Sequence, residues 1–441
     1  MKIALHRYYN RISATCPVSV EGQVTKVVGN VIEGNGPAMP VGGICQIMSA
    51  GLSREPFRAE VIGFRDQNIL LMPLERAEGV EPGSSIKALS FTATIDVGEN
   101  MLGRVLDGLG IPLDGRESVR AESTIPLYSH PVNPLLRNRI VEPLTVGVRS
   151  IDCLNTLAKG QRAAIMAGSG VGKSKLLGMM SKFTKADVNV IALIGERGRE
   201  VKEFIERDLG AEGLKRSVVI AATSDTSPLI RMRGAYLAAA IAEFFREKNM
   251  DVLLMMDSIT RFAMAAREVG LSAGEPPTSK AYPPSTFSHL PKLLERAGTS
   301  TGKGSITGIY TVLVEGDDMN EPIADAVRSI VDGHIVLDRS LAAKGHYPAV
   351  NVLSSISRLM SDVVKGEHLA LSYKFRRLLA DYAKIEDLVN LGAYEKGNNR
   401  NTDYARDMIE ALNNFLRQDV NEGSTIDSSV VQMTKLLSKG N

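Results

Sequence analysis

The sequence predicts an α/β chain in three successive parts: a small β-barrel, a central domain on a mostly parallel sheet, and a helical domain at the C-terminus. Three observations carry this. Residues 18–90 read as short strands broken by turns. Residues 91–350 alternate apolar runs with helix-length segments. After 351 the strand signals stop.

The barrel comes first. "GQVTKVVGNVIEG" alternates apolar and polar residues, and "PVGGICQI", "FRAEVIGFRDQNILLMPL" and "PGSSIKAL" follow it. Gly and Pro punctuate every few residues, which suits a barrel of short strands. Nucleic-acid-binding barrels interleave stacking aromatics with basic residues. Here residues 18–90 offer only Phe57 and Phe64, so the barrel reads as structural.

In the central part, "RAAIMAG", "VNVIALIG", "SVVIAAT" and "DVLLMMD" are apolar throughout. Between them lie "KSKLLGMMSKFTK", "REVKEFIERDLG" and "RGAYLAAAIAEFFREKN". Strands apolar on both faces, separated by helices, belong to a parallel sheet covered on both sides. In the last part, residues 365–391 are expected to be helical, with Leu371, Phe375, Leu378, Leu379, Tyr382 and Ile385 at helical spacing. Residues 402–418 repeat the pattern with Tyr404, Met408, Leu412 and Phe415 or Leu416, and "EKGNNRN" is the turn between.

Bulk composition narrows the function classes. The chain has 441 residues, 44% hydrophobic and 23% charged, with a formal net charge of +2. A chain built to coat nucleic acid or an acidic membrane carries more excess Lys and Arg. Cys16, Cys45 and Cys153 are far apart and odd in number, so a disulfide framework or zinc site is not expected and a reducing cytosol fits. The N-terminus lacks the apolar core of a signal peptide. No segment reaches ~18 uninterrupted apolar residues, so no membrane span is expected.

Chemistry concentrates in "AAIMAGSGVGKSKLLGMM", residues 163–180. A phosphate-binding loop needs a buried strand, a turn that bares consecutive N–H groups, a lysine for the outer phosphates, and a hydroxyl for magnesium where a helix starts. The strand ends at Ala167. Gly168, Ser169, Gly170, Val171 and Gly172 make the turn, followed by Lys173, Ser174 and Lys175. Glycine is usual at position 167. Alanine there costs little if its φ stays negative, with Gly168 taking the difficult angles. The competing reading is a Gly-rich turn before an ordinary helix.

"DVLLMMDSITRF" ends a buried strand on Asp257, suited to hold magnesium through water or to cap the next helix. Ser258 follows where many phosphate-loop ATPases have a glutamate, so a hydrolytic base must come from another strand. "GERGREVKEF" supplies Glu196 just past the C-terminal end of a buried strand, where ligands sit in open α/β sheets. Arg197 beside it suits contact with a γ-phosphate or holding Glu196 ionised; a solvated helix-capping loop is the alternative. In "GHYPAVNVLSSISRLM", Tyr347 suits stacking on a base. Arg358 is either an ordinary surface or capping arginine or one that a neighbouring subunit uses to stabilise phosphoryl-transfer charge.

With these motifs in place, the chain resembles the flagellar type III protein-export ATPases, kin of the injectisome ATPases and of the catalytic subunits of rotary ATP synthases. The resemblance covers residues 20–440. It rests on "AGSGVGKS", "GERGREVKEFIERDLG", "RMRGAYLAAAIAEFFR", "DVLLMMDSITRFAMAAREVGL", "GEPPTSKAYPPSTFSHLPKLLERAG", "VEGDDMNEPIADAVRSIVDGHIVLDR" and "YPAVNVLSSISR". It implies a RecA-like phosphate-loop ATPase domain at 91–350, between a barrel at 18–90 and a helical domain at 351–441. It implies ATP and Mg2+ as ligands and a homohexameric ring with its sites between subunits. In it Lys173, Ser174, Glu196, Arg197 and Asp257 take the loop, base and metal positions. Tyr347 takes the adenine-stacking position, and Arg358 that of the arginine lent by the neighbour. The implied partners are a coiled-coil stalk protein in the ring pore, a stator-like regulator at the N-terminus, the export-gate membrane proteins and cargo-chaperone complexes. Nucleic acid is not among them, and membrane association is peripheral at most. The implied place is the cytoplasmic base of a secretion apparatus. Residues 1–17, with Lys2, His6, Arg7 and Arg11, suit a partner-binding tail or a frayed end.

Two departures stand out. "NLGAYEKGNNRN" replaces the acidic loop of rotary synthase subunits, which argues against torque coupling to a proton rotor. Ala281 stands where flagellar versions more often have glycine. Four functions therefore compete: an ATP-driven protein-export motor, flagellar or injectisome; a rotary synthase subunit; an RNA-dependent ring ATPase; and a non-catalytic nucleotide-binding ring subunit. The last is expected to lack Lys173 or Glu196, and both are present. The spelling of the phosphate loop favours the flagellar branch.

Overall fold

The structure, a computed structural model, describes residues 20–49, 55–314, 316, 318–397 and 399–438. Cys16 and the expected N-terminal tail at 1–17 lie outside the described residues. The chain forms two compact units. One holds the described residues up to Thr94 together with Glu268–Pro276, and the other holds Ile95–Arg267 and the residues from Pro277 onward.

In the first unit, six strands close a barrel: β1 (Glu21–Val28), β2 (Val31–Gly34), β3 (Ile44–Met48), β4 (Phe57–Arg65), β5 (Asn68–Pro73) and β6 (Ser85–Ser90), in the order β1-β2-β5-β4-β3-β6. The alternation read from the sequence is the inward set. Val24, Ile32, Cys45, Ile47, Ala59, Val61, Leu71 and Ile86 fill the interior. Phe57 joins that core, whereas Phe64 is exposed.

The second unit is built on a nine-stranded sheet. Its strands are β7 (Arg104–Leu106), β8 (Arg162–Ala167), β9 (Val188–Ile194), β10 (Ser217–Ala222), β11 (Asp251–Asp257), β12 (Gly298–Thr299), β13 (Ser305–Leu313), β14 (Gly333–Leu337) and β15 (Val350–Ser357). They run β15-β14-β8-β13-β11-β9-β10-β7, with β12 paired to β13. All pairings along the path are parallel except β14 with the edge strand β15. The helices that matter below are α1 (Lys173–Phe183), α2 (Gly198–Glu203), α3 (Pro228–Glu247), α4 (Ile259–Ser272), α5 (Pro322–Ile330), α6 (Gly366–Ala383), α7 (Arg400–Leu416) and α8 (Ile426–Ser438).

Every residue of β9 and β10 is buried, as double coverage requires. On one face Ile191, Leu193, Val219 and Leu253 join Leu176, Leu177 and Met180 of α1 in a single core. On the other face Ile194 and Ala222 meet α3. A Cβ on Gly234 of that helix would stand 3.0–3.2 Å from them, so the small residue lets α3 lie close to the sheet.

The helical region differs from expectation in two places. The segment 365–391 is not one helix: α6 ends at Ala383, and a turn through Lys384 and the buried Ile385 leads to a short helix at Glu386–Asn390. The sequence reading also passed over α8. Its signal was present: Thr425 caps its start by accepting from Ser428 N, and Ser429, Met433 and Leu437, four apart, are its buried positions. Met433 and Leu437 pack with Phe375, Leu378, Leu412 and Leu416, and Cys153 is buried in the same core.

Ala281 now has a physical account. It sits at φ 62°, directly after Lys280 at φ 45°. A left-handed angle on a residue with a Cβ costs about 1–2 kcal/mol, and glycine adopts it freely. Glycine also adds unfolded-chain entropy worth about 0.4–1 kcal/mol. Ala281→Gly is therefore expected to raise stability by at most ~1.6 kcal/mol, seen as a higher urea midpoint at unchanged slope. A lower midpoint removes the strain from this loop.

Candidate nucleotide site

Parallel, in-register strands bring the predicted side chains to one edge. Ala167 ends β8 and pairs with Leu313 and Leu337, while Leu193 pairs with Asp257. The turn after β8, the residues after β9 and the end of β11 therefore share the C-terminal edge of the sheet, where an open α/β sheet binds ligands.

Ala167 is buried within the strand, its methyl group in the core, and it has no positive φ. The expectation that Gly168 takes the difficult angles is corrected: they fall on Gly170 (φ 78°) and Gly172 (φ 89°). Lys173 opens α1, and Gly172 precedes it in the left-handed conformation. Glycine is required there twice over, because a Cβ would also stand 3.3 Å from the Tyr347 ring. Tyr347 thus lies against the phosphate loop, partly exposed. Ser174 and Lys175 follow on the exposed first turn. A helix start with bared N–H groups and a lysine at its head attracts an anion.

Lys173 Nζ lies 2.5 Å from Asp257 Oδ1 and 3.5 Å from Glu196 Oε1. Thr311 Oγ1 also donates to Asp257 Oδ1, at 2.7 Å. The Asp257–Ser258 peptide bond is cis. Both carboxylates are buried, with Glu196 7% and Asp257 3% exposed. Burial pushes the Glu196 carboxyl up to about 7. A hydrogen bond with Glu200 and the charge of Asp257 add to that rise, while Lys173 and Arg261 oppose it.

Arg261 was missed from the sequence. It stands in the first turn of α4, its Nη2 3.4 Å from Glu196 Oε2, and it donates to the Gly195 carbonyl. The signal was an arginine four residues after Asp257, one helical turn past the strand end. Of the two readings of Arg197, holding Glu196 ionised is the one to correct. Arg197 is mostly exposed and pairs with Glu200 at 3.4 Å, so the arginine that reaches Glu196 is Arg261.

Arg358 is elsewhere. β15 starts beside Leu337 at the loop edge and runs back to pair Ser357 with Gly333. Arg358 N then donates to the Asp332 carbonyl, and Asp332 N to the Arg162 carbonyl at the start of β8. Its backbone is therefore at the opposite edge of the sheet from Lys173. The same side holds an open notch of about 350 Å³ lined by Asp325, Arg328, Ser329, His334 and Arg358.

The donor set fits magnesium. Ser174 and Asp257 offer a hydroxyl and a carboxylate, hard oxygen donors. Among the described residues no cluster of three or more His, Cys, Asp or Glu could hold a metal unaided. Mg2+ suits such a place, because it takes its other ligands from water and phosphate.

Fold and site together define a phosphate-loop nucleotide-binding protein. Residues 147–357 match the ATP synthase alpha/beta family, nucleotide-binding domain, and residues 24–90 match the beta-barrel domain of that family. Residues 364–435 match the T3SS EscN ATPase C-terminal domain. The chain belongs to the ATP synthase alpha/beta family. It is 54% identical over 415 residues to the flagellum-specific ATP synthase of Bacillus subtilis (strain 168), covering 94% of each chain. It also resembles the structure of the assembled ATPase EscN from the enteropathogenic E. coli type III secretion system. That TM-score is 0.89 at 42% identity, over 94% of this chain and 100% of the other. Against EscN in complex with its central stalk EscO the TM-score is 0.87 at 42% identity, with the same coverage.

Proposed function

We propose that this chain hydrolyses ATP to energise export of flagellar proteins through a type III secretion apparatus. One observation carries the mechanism: Lys173, Glu196 and Asp257 meet at one edge of the sheet, while Arg358 leaves from the other. A protomer that offers a loop at one edge and an arginine at the opposite edge completes its site only beside another copy. The printed likeness to an assembled EscN supports a ring of such copies, and the family resemblance makes it a homohexamer.

In this reading ATP lies with its base on Tyr347 and its phosphates on the loop 167–174. Water attacks the γ-phosphorus, the bond to the β–γ bridging oxygen breaks, and ADP and phosphate leave. Glu196 orients the water and takes its proton, Arg261 holds Glu196, and Lys173 neutralises the β/γ charge. Arg358 of a second copy meets the charge that spreads over the equatorial oxygens. Ser174 and, through water, Asp257 would hold Mg2+, which would supply positive charge against the phosphates. Arg197, exposed beside the site, is left for the γ-phosphate side.

Among the described residues no helix is long and apolar enough to cross a membrane. We place the chain at the cytoplasmic base of the apparatus. Its partners there are a coiled-coil stalk in the pore, an N-terminal regulator, the export gate and cargo-chaperone complexes. The likeness to EscN with its stalk EscO supports the first of these. An injectisome role is the second reading, favoured by the match of 364–435 to the EscN C-terminal domain. The higher identity to a flagellar relative, 54% against 46% for the type 3 secretion system ATPase of Xanthomonas euvesicatoria, favours the first.

Specific ATPase activity is expected to rise steeply with protein concentration and then level off as rings fill. Activity per chain that stays constant down to a dilution where light scattering sees only monomers overturns the shared site.

A further inference from the structure

The edge of the sheet that carries Arg358 holds a histidine that the chemistry above leaves unused. The β14–β15 ladder slips there: His334 opposes Ile356, whereas Val336 opposes Asn351. The stretch of β15 between Asn351 and Ile356 therefore bulges, and Val336 N donates to Ser355 Oγ at 2.9 Å. Asn351 pins the bulge. Its side-chain carbonyl accepts from Ser354 N at 3.0 Å, and its backbone carbonyl accepts from Ser355 Oγ at 2.6 Å. Bulges re-aim the side chains next to them. The Ser354 backbone beside this one favours the protonated His334 ring, against the larger opposing effect of burial. β15 then resumes at Ile356 and delivers Arg358 immediately after its last residue.

His334 and Arg358 line the same notch with Arg328, Ser329 and Asp325. Arg328 is tied to Asp325 on its own helix, α5, at 3.0 Å. Burial, then the charges of Arg328 and Arg358, hold the imidazole pKa below its ordinary value, so the ring is neutral near pH 7. A neutral imidazole that donates from one nitrogen accepts at the other. A guanidinium has only donors, so it pairs with an acceptor such as this nitrogen; Arg328 holds Asp325 Oδ1 on the α5 side of the notch.

We propose that His334 is a positioning residue for Arg358: its acceptor nitrogen takes a guanidinium N–H and holds the arginine extended toward the nucleotide of the next protomer. This rests on the reading that Arg358 acts across the subunit boundary. It gives the bulge in β15 a purpose, because the same slip that seats the imidazole sets the point from which Arg358 departs. A misplacement of about 1 Å in a group that meets the transition state costs on the order of 10²-fold in rate.

Two variants of the full-length protein test this. His334→Leu keeps apolar bulk and removes the acceptor; its kcat at saturating ATP is expected to fall roughly 10–100-fold with little change in KM. His334→Gln keeps a neutral acceptor and is expected to recover most of that loss. Ring formation, followed by light scattering, should be the same for both. Adding His334→Leu to an Arg358→Ala chain should lower turnover no further, because the histidine acts through the arginine. Equal turnover by the Leu and Gln variants, whether high or low, overturns the proposal. So do losses that multiply in the double variant. Undiminished turnover by Arg358→Ala alone would instead overturn the trans arginine on which the proposal stands.

Discussion

Arg358→Ala is expected to lower turnover by about 10³-fold or more with ATP binding to the dilute chain unchanged, because in the proposed mechanism the arginine stabilises charge that develops only in the transition state. The expectation follows from where β15 ends. It runs antiparallel to its neighbour, so it carries the chain from Tyr347 at the loop edge to Arg358 at the far edge. A cation there cannot serve the Lys173 loop of the same chain. Mixing supplies the decisive measurement. Lys173→Ala removes the phosphate-binding charge and is expected to be inactive by itself. In mixed rings, a chain with Arg358→Ala keeps an intact loop and receives an intact arginine from a Lys173→Ala neighbour. Two inactive proteins are then expected to regain activity together, with a maximum at equal proportions, where about a quarter of the head-to-tail contacts pair the right edges. No recovery at any ratio, in rings shown to be mixed, sinks the trans assignment.

Glu196→Gln is the second large effect. The amide keeps the size and loses the base, so kcat is expected to fall by ~10²-fold or more with ATP affinity retained. The pH profile gives an independent readout. Burial raises the Glu196 carboxyl to about 7, so the ionised base is present above that value and lost as pH falls through it. The acid limb of kcat/KM should therefore lie near neutrality and not near the ~4.3 of a free glutamate. It should be absent from the residual activity of the Gln variant. An unchanged rate, or an acid limb that persists in that variant, reassigns the base.

Much of this was legible in the residues because the physics is local. The phosphate loop is a contiguous stretch whose strand, turn, lysine and helix start follow one another. Apolar runs on both faces gave the parallel sheet. Glu196 and Asp257 were found because a strand end is visible in sequence and parallel strands place their ends together. What stayed hidden depends on distance between segments. Arg261 looked like an ordinary helix residue until α4 laid it beside Glu196. The left-handed angles went to Gly170 and Gly172, which only the path of the turn decides. The strain at Ala281 is a matter of φ and leaves no mark on composition. The bulge beside His334 arises from pairing register, which periodicity does not report.

The C-terminal helices meet the nucleotide site through a small polar joint. Arg149 Nε donates to the Phe415 carbonyl at 2.9 Å, and Arg149 N donates to Gln418 Oε1 at 2.9 Å. The Gln418 side chain donates to the Gly147 carbonyl at 2.7 Å, and its backbone N–H to the Tyr347 carbonyl at 3.0 Å. The residue that would touch the base is thus fastened from behind by the tail of the polypeptide. Cutting the chain before this joint to obtain a minimal catalytic core removes a wall of the room it was meant to isolate. Conversely, a force that levers these helices has a short mechanical route to Tyr347.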